Sequence, residues 1–392
     1  MTAAAASRWS VLAGFAGVAA VTQLLWLTYA PITTQAARHY GVSESAIGWL
    51  ANVLPLGYVV LAVPAGLLLD RGFRPWLLVG AVLTACAGIV RLVGDDYDWQ
   101  LAGQALLAIA QPFVLTAITG VAGRYLRPAD RATGIAIGTA STFAGMIVAF
   151  VLAAAVPLRA VLATDAILGV AALVCVAVPL RKGAAFRHDR TAPGLRALRA
   201  TWRDPLVRRL CLLVFVPFGT FTALTTWAEA LLDPAGVTSS QAGIVLLVNI
   251  VAGVAGCALL PVAAVRRRRE LAAMAAALLV TAASCALLAA APGLAMALAT
   301  FAVFGFLLLP CLPIVLELTE RRGAGGDSTA AGLIWLFGQA GALVVTGVVG
   351  TVVHHPLGAF VLMAAVTFAA VPLLRSLAPY VAVLPRTAPA RS

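Results

Sequence analysis

Polar residues are so sparse along this chain that its organisation is set by where the apolar runs stop. A helix needs about 20 residues to cross a bilayer. Twelve runs are long enough, at roughly 9–31, 46–69, 75–94, 100–124, 131–155, 159–180, 209–232, 239–265, 271–291, 294–318, 328–353 and 356–379. Most connections are a few residues long, which makes consecutive helices antiparallel. One stretch differs: 181–208 is polar, basic and punctuated by Pro and Gly, and it divides the runs six and six. Parallel repeats related by an axis along the membrane normal give this pattern. The expectation is an all-α membrane protein of twelve transmembrane helices in two six-helix, pseudo-symmetric bundles. Residues 1–180 would form the N-terminal bundle, 181–208 a cytoplasmic basic linker, 209–381 the C-terminal bundle and 382–392 a cytoplasmic tail.

Composition excludes a water-soluble protein. Hydrophobic residues make up 62% of the chain and charged residues 11%, against about 25% charged in soluble domains. The formal charge of +12 suggests nucleic acid, but its placement argues otherwise. Of the 27 Lys and Arg, all but Arg38, Arg91 and Arg159 fall in segments on one side of the expected spans. This is the positive-inside asymmetry, so the basicity reports topology. Asp95, Asp96 and Asp98 fall on the other side. The chain reads as a multi-pass protein of the plasma membrane with both termini cytoplasmic. Its first apolar run is too long for a signal-peptide core of about 7–15 residues. The six cysteines, Cys86, Cys175, Cys211, Cys257, Cys285 and Cys311, lie within runs and lack metal-ligand spacing. They read as small buried hydrophobes. No nucleotide fingerprint, metal cluster or catalytic triad appears, so neither an enzyme nor a cofactor is expected.

Two features interrupt the apolar background. Pro55, Pro64, Pro112, Pro217, Pro261, Pro310 and Pro313 lie inside runs, where each removes a backbone donor and permits a kink. Isolated polar and aromatic groups, Trp26, Tyr29, Gln111 and Gln339 among them, need partners or a filled cavity inside a membrane.

The segment from Gly66 through Asp70, Arg71 and Gly72 to Arg74 resembles the signature loop of the major facilitator superfamily, Gly-x-x-x-Asp-Arg-x-Gly-Arg, with the glycine displaced by one place. The resemblance implies a cytoplasmic latch built on Asp70, Arg71 and Arg74, with Glu317 a candidate to share it. The equivalent stretch of the second half ends in Arg266 to Arg269, so the latch is expected to be one-sided.

The chain further resembles the feline leukaemia virus subgroup C receptor family, transporters linked to choline, ethanolamine and haem. The likeness rests on several runs: Trp26-x-x-Tyr29; Trp49, Tyr58, Pro64-Ala65 and Leu68-Leu69-Asp70; Gly103-Gln104, Ala110-Gln111 and Arg124; Pro310-x-x-Pro313 and Glu317-Leu318-Thr319; and Gly332-Leu333 followed by Gln339. In that family the solute site lies between the halves and contains a first-span Trp, a fourth-span Gln and an eleventh-span Gln. These carry over to Trp26, Gln111 and Gln339, with Tyr29 beside the first. A seventh-span Tyr of the family has no counterpart here, and Phe221 or Trp227 is left to supply an aromatic face.

Ring faces attract a quaternary ammonium by about 0.5–2 kcal/mol each, and neutral carboxamides can hold a hydroxyl. The alternative for Trp26 is an interfacial belt residue, and for the glutamines an interhelical hydrogen bond. Glu229 and Asp165 are candidates for coupling, as proton carriers or counter-ions, or else interfacial residues near the ends of their spans. The expected function is secondary or facilitative transport of a small organic solute, such as the amines choline or ethanolamine, by alternating access. The alternative is proton-coupled efflux of a hydrophobic or toxic compound. Expected partners are the solute and the lipid bilayer, with no nucleic acid and no metal, and the protein is expected to be monomeric.

Overall fold

The computed structural model describes residues 6–127, 130–186, 199, 201–321 and 328–382, and among these the regular structure is helical. The chain forms two compact units, Met1–Ala192 with Thr238–Ile244, and Pro193–Val237 with Val245–Ser392. Among the described residues, eleven helical segments are long and apolar enough to cross a membrane. The remaining expected span, 100–124, is present as helix but carries Gln100, Gln104 and Gln111, which lower its hydropathy.

The first part of the chain runs through α1 (Trp9–Leu27), a tight turn (Ala30–Ile32), α2 (Thr33–Tyr40), α3 (Glu44–Arg71), α4 (Phe73–Val90), α5 (Tyr97–Leu115), α6 (Ile118–Tyr125), α7 (Arg131–Ala155) and α8 (Leu158–Leu180). After the linker come α9 (Pro205–Leu232), α10 (Ser239–Arg267), α11 (Glu270–Ala290), α12 (Leu294–Leu308), α13 (Cys311–Arg321), α14 (Ser328–Gly350), α15 (Pro356–Ala369) and α16 (Val371–Ala382).

The two units share three packing pairs. In the first, α1 packs on α7 and α4 packs on α5 and α8; in the second, α9 packs on α14 and α11 on α12 and α15. Small residues make the central contacts close. A β-carbon on Gly145 of α7 would run into the Ala20 carbonyl of α1, and one on Gly341 of α14 into the Phe215 carbonyl of α9. Such approach is what small residues permit where packing drives association.

The leading segment of each unit is its interior. Of their apolar windows, 78% is buried in both Trp9–Tyr40 and Pro205–Ala235, against 29–50% elsewhere. Polar side chains on these two segments therefore face protein. The outer helices expose Val60, Ile167, Leu259 and Phe368, as a surface solvated by acyl chains requires. All six cysteines are free, and Cys175 is exposed, not buried as expected.

The turn after each leading segment also repeats. Gly41 and Gly236 adopt left-handed φ of 66° and 78°, and each is followed by Val and then Ser or Thr. Ser43 Oγ accepts from Ala46 N–H at 3.2 Å, and Thr238 Oγ1 accepts from Gln241 N–H at 3.3 Å. Glycine ends one segment and the hydroxyl caps the next helix. The fourth span of each unit is broken, between α5 and α6 and between α12 and α13. Pro112 lies in α5, Pro310 lies in the second break and Pro313 in the first turn of α13, each without an N–H to donate.

Candidate solute site and buried charge cluster

The polar face of α5 is set by sequence spacing. Gln100, Gln104 and Gln111 stand at i, i+4 and i+11, within about 40° of one another around a helix of 3.6 residues per turn. All three are at most 1% exposed, so the helix turns one carboxamide stripe into the first unit.

Arg91 meets the outer part of that stripe. It follows the last residue of α4 and is completely buried, which corrects the expectation of a basic residue in an outer connection. Its Nη2 donates to the Leu25 carbonyl at 2.9 Å and to Gln104 Oε1. Its Nη1 lies 3.4 Å from Asp165 Oδ2, and the same oxygen accepts from Thr28 Oγ1 at 2.7 Å. Gln100 Nε2 donates to the Arg91 carbonyl at 3.1 Å, while Gln100 Oε1 accepts from the Tyr29 hydroxyl at 2.6 Å. The guanidinium carbon lies 5.8 Å from the centre of the Tyr29 ring. Gly103 makes room for this, because a β-carbon there would meet Arg91 Cγ.

A buried charge is tolerable only when paired and hydrogen-bonded. Arg91 and Asp165 neutralise each other, and Thr28, Tyr29, Gln100 and Gln104 ring the pair. Asp165, expected near an outer end where water reaches, is 0% exposed. It and Tyr29 are thus brought into one cluster. Sequence reasoning missed Arg91, Gln100, Gln104 and Thr28. The signal available for the glutamines was their helical spacing.

Trp26 lies beside the cluster but is held differently. Its indole Nε1 donates to the Ala51 carbonyl of α3 at 2.9 Å. In an unbroken helix that carbonyl would accept from residue 55, which is Pro55 and has no N–H. The proline frees an acceptor and the indole takes it. At 7% exposure the ring is not an outward belt residue, and with its N–H satisfied it has only its faces to offer a ligand. Gln111 is 1% exposed, and its Oε1 has no partner.

In the second unit, Phe221, Trp227 and Glu229 are all buried on α9. Trp227 Nε1 donates to the Thr346 carbonyl of α14 at 2.9 Å, and its ring fills the space beside Gly350. It stitches two helices together. Gln339 of α14 is 3% exposed with Oε1 unpartnered. Phe218 and Trp335, on the same two helices, meet edge to face at 6.0 Å.

Arg71 and Arg74 are exposed at the turn between α3 and α4. The side chains of Asp70 and Glu317 lie outside the described residues. Among the described residues, no three His, Cys, Asp or Glu gather where a metal could sit.

The sequence profile described as the Major Facilitator Superfamily matches residues 14–346. Solute carrier family 49 member A3 of Danio rerio is 28% identical over 384 residues, covering 89% of this chain and 80% of that protein. The choline/ethanolamine transporter FLVCR1 of Felis catus is 33% identical over 155 residues, 38% of this chain and 28% of that one. A bacterial homologue of the lysosomal transporter Spinster superposes with a TM-score of 0.73 at 12% identity, over 95% of this chain and 96% of that chain. The fucose:proton symporter of E. coli gives 0.65 at 18% identity, over 94% and 98%. The structural likenesses establish the fold.

Proposed function

Taking as premise that the chain belongs to the Major Facilitator Superfamily and is a multi-pass membrane transporter of small solutes, we propose that its solute is a small organic amine of the choline or ethanolamine type. Transport is facilitative and proceeds by alternating access, in the plasma membrane with both termini cytoplasmic, and the protein acts as a monomer. The observation that carries this reading is the state of three neutral groups. Trp26 has its N–H occupied, which leaves its ring faces as the part that can meet a solute, while Gln111 and Gln339 each keep a buried, unpartnered carboxamide oxygen. A π-face suits an ammonium group, and a free acceptor suits a hydroxyl or an N–H. Neutral contacts also let the solute leave, since no buried charge is stranded when it goes. The cat relative, a choline/ethanolamine transporter, supports the same class.

The alternative, proton-coupled efflux, needs a carboxylate that titrates during transport. Its candidates are Asp165, paired with Arg91, and Glu229, buried on α9.

A thermal-shift screen of the purified protein tests the reading against amines, amino acids, nucleosides and haem. Choline or ethanolamine is expected to raise the melting temperature of wild type and not of Trp26→Ala. Equal stabilisation of both proteins by every apolar compound would contradict the amine assignment.

A further inference from the structure

Asn52 lies in α3 one residue after the carbonyl that holds Trp26. It is 1% exposed, yet neither its Nδ2 nor its Oδ1 has a hydrogen-bond partner. A buried amide left unpaired loses its water bonds without replacement, and in hydrocarbon nothing else can supply them. The sequence offers many apolar residues of similar size at this depth, so Asn needs a reason.

Asn249 of α10, in the other unit, is likewise buried with neither Nδ2 nor Oδ1 hydrogen-bonded. The place where a Gly305 β-carbon would stand is 2.9 Å from Asn249 Oδ1, so that amide is wedged between α10 and α12. Asn52 has a different setting. Pro55 opens the hydrogen-bond ladder one turn on, the freed Ala51 carbonyl anchors the indole, and Asn52 is the next residue along the helix. Its donor and acceptor are side by side, the complement of a hydroxyl, which can accept from one and donate to the other.

We propose that Asn52 is a solute contact that hydrogen-bonds the hydroxyl of the transported molecule next to the Trp26 ring. The assignment rests on the reading of the protein as a carrier of small hydroxylated amines and deepens it. Trp26 takes the cationic end and Asn52 the hydroxyl end, so selectivity for the hydroxyl is separable from affinity for the cation.

The test is flux into proteoliposomes of the full chain, using pairs of solutes that differ by one hydroxyl: choline and ethyltrimethylammonium, ethanolamine and ethylamine, and a nucleoside with its deoxy form. In Asn52→Val the KM for the hydroxylated member should rise about tenfold, the scale of one lost hydrogen bond. The KM for the deoxy member should not change, and Asn52→Ser should recover part of the preference. If the Val variant fails to fold, the Ser variant alone decides: a hydroxyl-specific loss supports the assignment, and an unchanged ratio overturns it. Equal effects on both members of every transported pair overturn it too. A hydroxyl-specific loss seen only with the nucleoside pair would sink the amine reading and leave Asn52 in place. Absence of flux for all pairs overturns both.

Discussion

Arg91 and Asp165 stabilise the first unit only as a pair. Removing either member strands the other in a site with 0% exposure, which costs about 3–5 kcal/mol. Removing both and filling the space with apolar side chains costs far less. Arg91→Met and Asp165→Leu should therefore each lower the melting temperature sharply in detergent, while the double variant recovers most of the loss. A double variant as unstable as the sum of the singles would show that the pair is not the main interaction. Gly103→Leu should resemble Arg91→Met, because its side chain would occupy the space of the Arg91 stem. A weaker pair lies outside the membrane. His39 Nε2 and Asp95 Oδ1 are 2.9 Å apart, and that hydrogen bond holds the Asp95 carboxyl below its ordinary value of 3.8. A lowered folded value stabilises at pH above the ordinary one, and the benefit is lost as pH falls through the lowered value. Both side chains are more than a third exposed, so the effect is small. Asp95→Asn should melt slightly below wild type near neutral pH and coincide with it in strong acid.

The helices were legible in the sequence as apolar runs because membrane spans must satisfy their backbone internally. Their breaks were only partly legible. Pro112 and Pro310 announce a lost donor, but whether a helix bends or stops depends on what meets the freed carbonyl. At Pro55 the indole of Trp26 does so. The α5 stripe was readable as i, i+4, i+11 spacing, yet only packing shows that Gln100 and Gln104 serve Arg91 while Gln111 stays open. Arg91 itself was misread because a basic residue at the end of an apolar run ordinarily snorkels to water, and Asp165, far along the chain, gave no local signal. The repeated contacts of α1 with α7 and of α9 with α14 depend on backbone approach at Gly145 and Gly341. Leu at either glycine forces the helices apart. Overpacking of this kind costs about 1–3 kcal/mol or more, and should appear as a lower melting temperature and loss of a monodisperse peak in size-exclusion chromatography.

For the molecule as a whole, charge placement predicts the orientation, and neutral polar groups underlie the proposed cargo. The basic turns and linker are expected on the cytoplasmic side. In a background without native cysteines, Asp96→Cys should react with an impermeant maleimide in intact cells, and Arg268→Cys only after lysis. The opposite labelling would invert the topology. Facilitated movement of an amine cation predicts that flux follows membrane potential and ignores a pH gradient, whereas a proton-coupled carrier using Glu229 would show the reverse. The decisive experiment is uptake of labelled choline into proteoliposomes under an inside-negative potential, with and without a pH gradient, for wild type, Trp26→Ala and Gln339→Ala. Wild-type uptake should be driven by the potential and unaffected by the pH gradient, and both variants should lose at least tenfold in kcat/KM while remaining folded. Uptake equal to that of protein-free liposomes, or variants as active as wild type, would contradict the account.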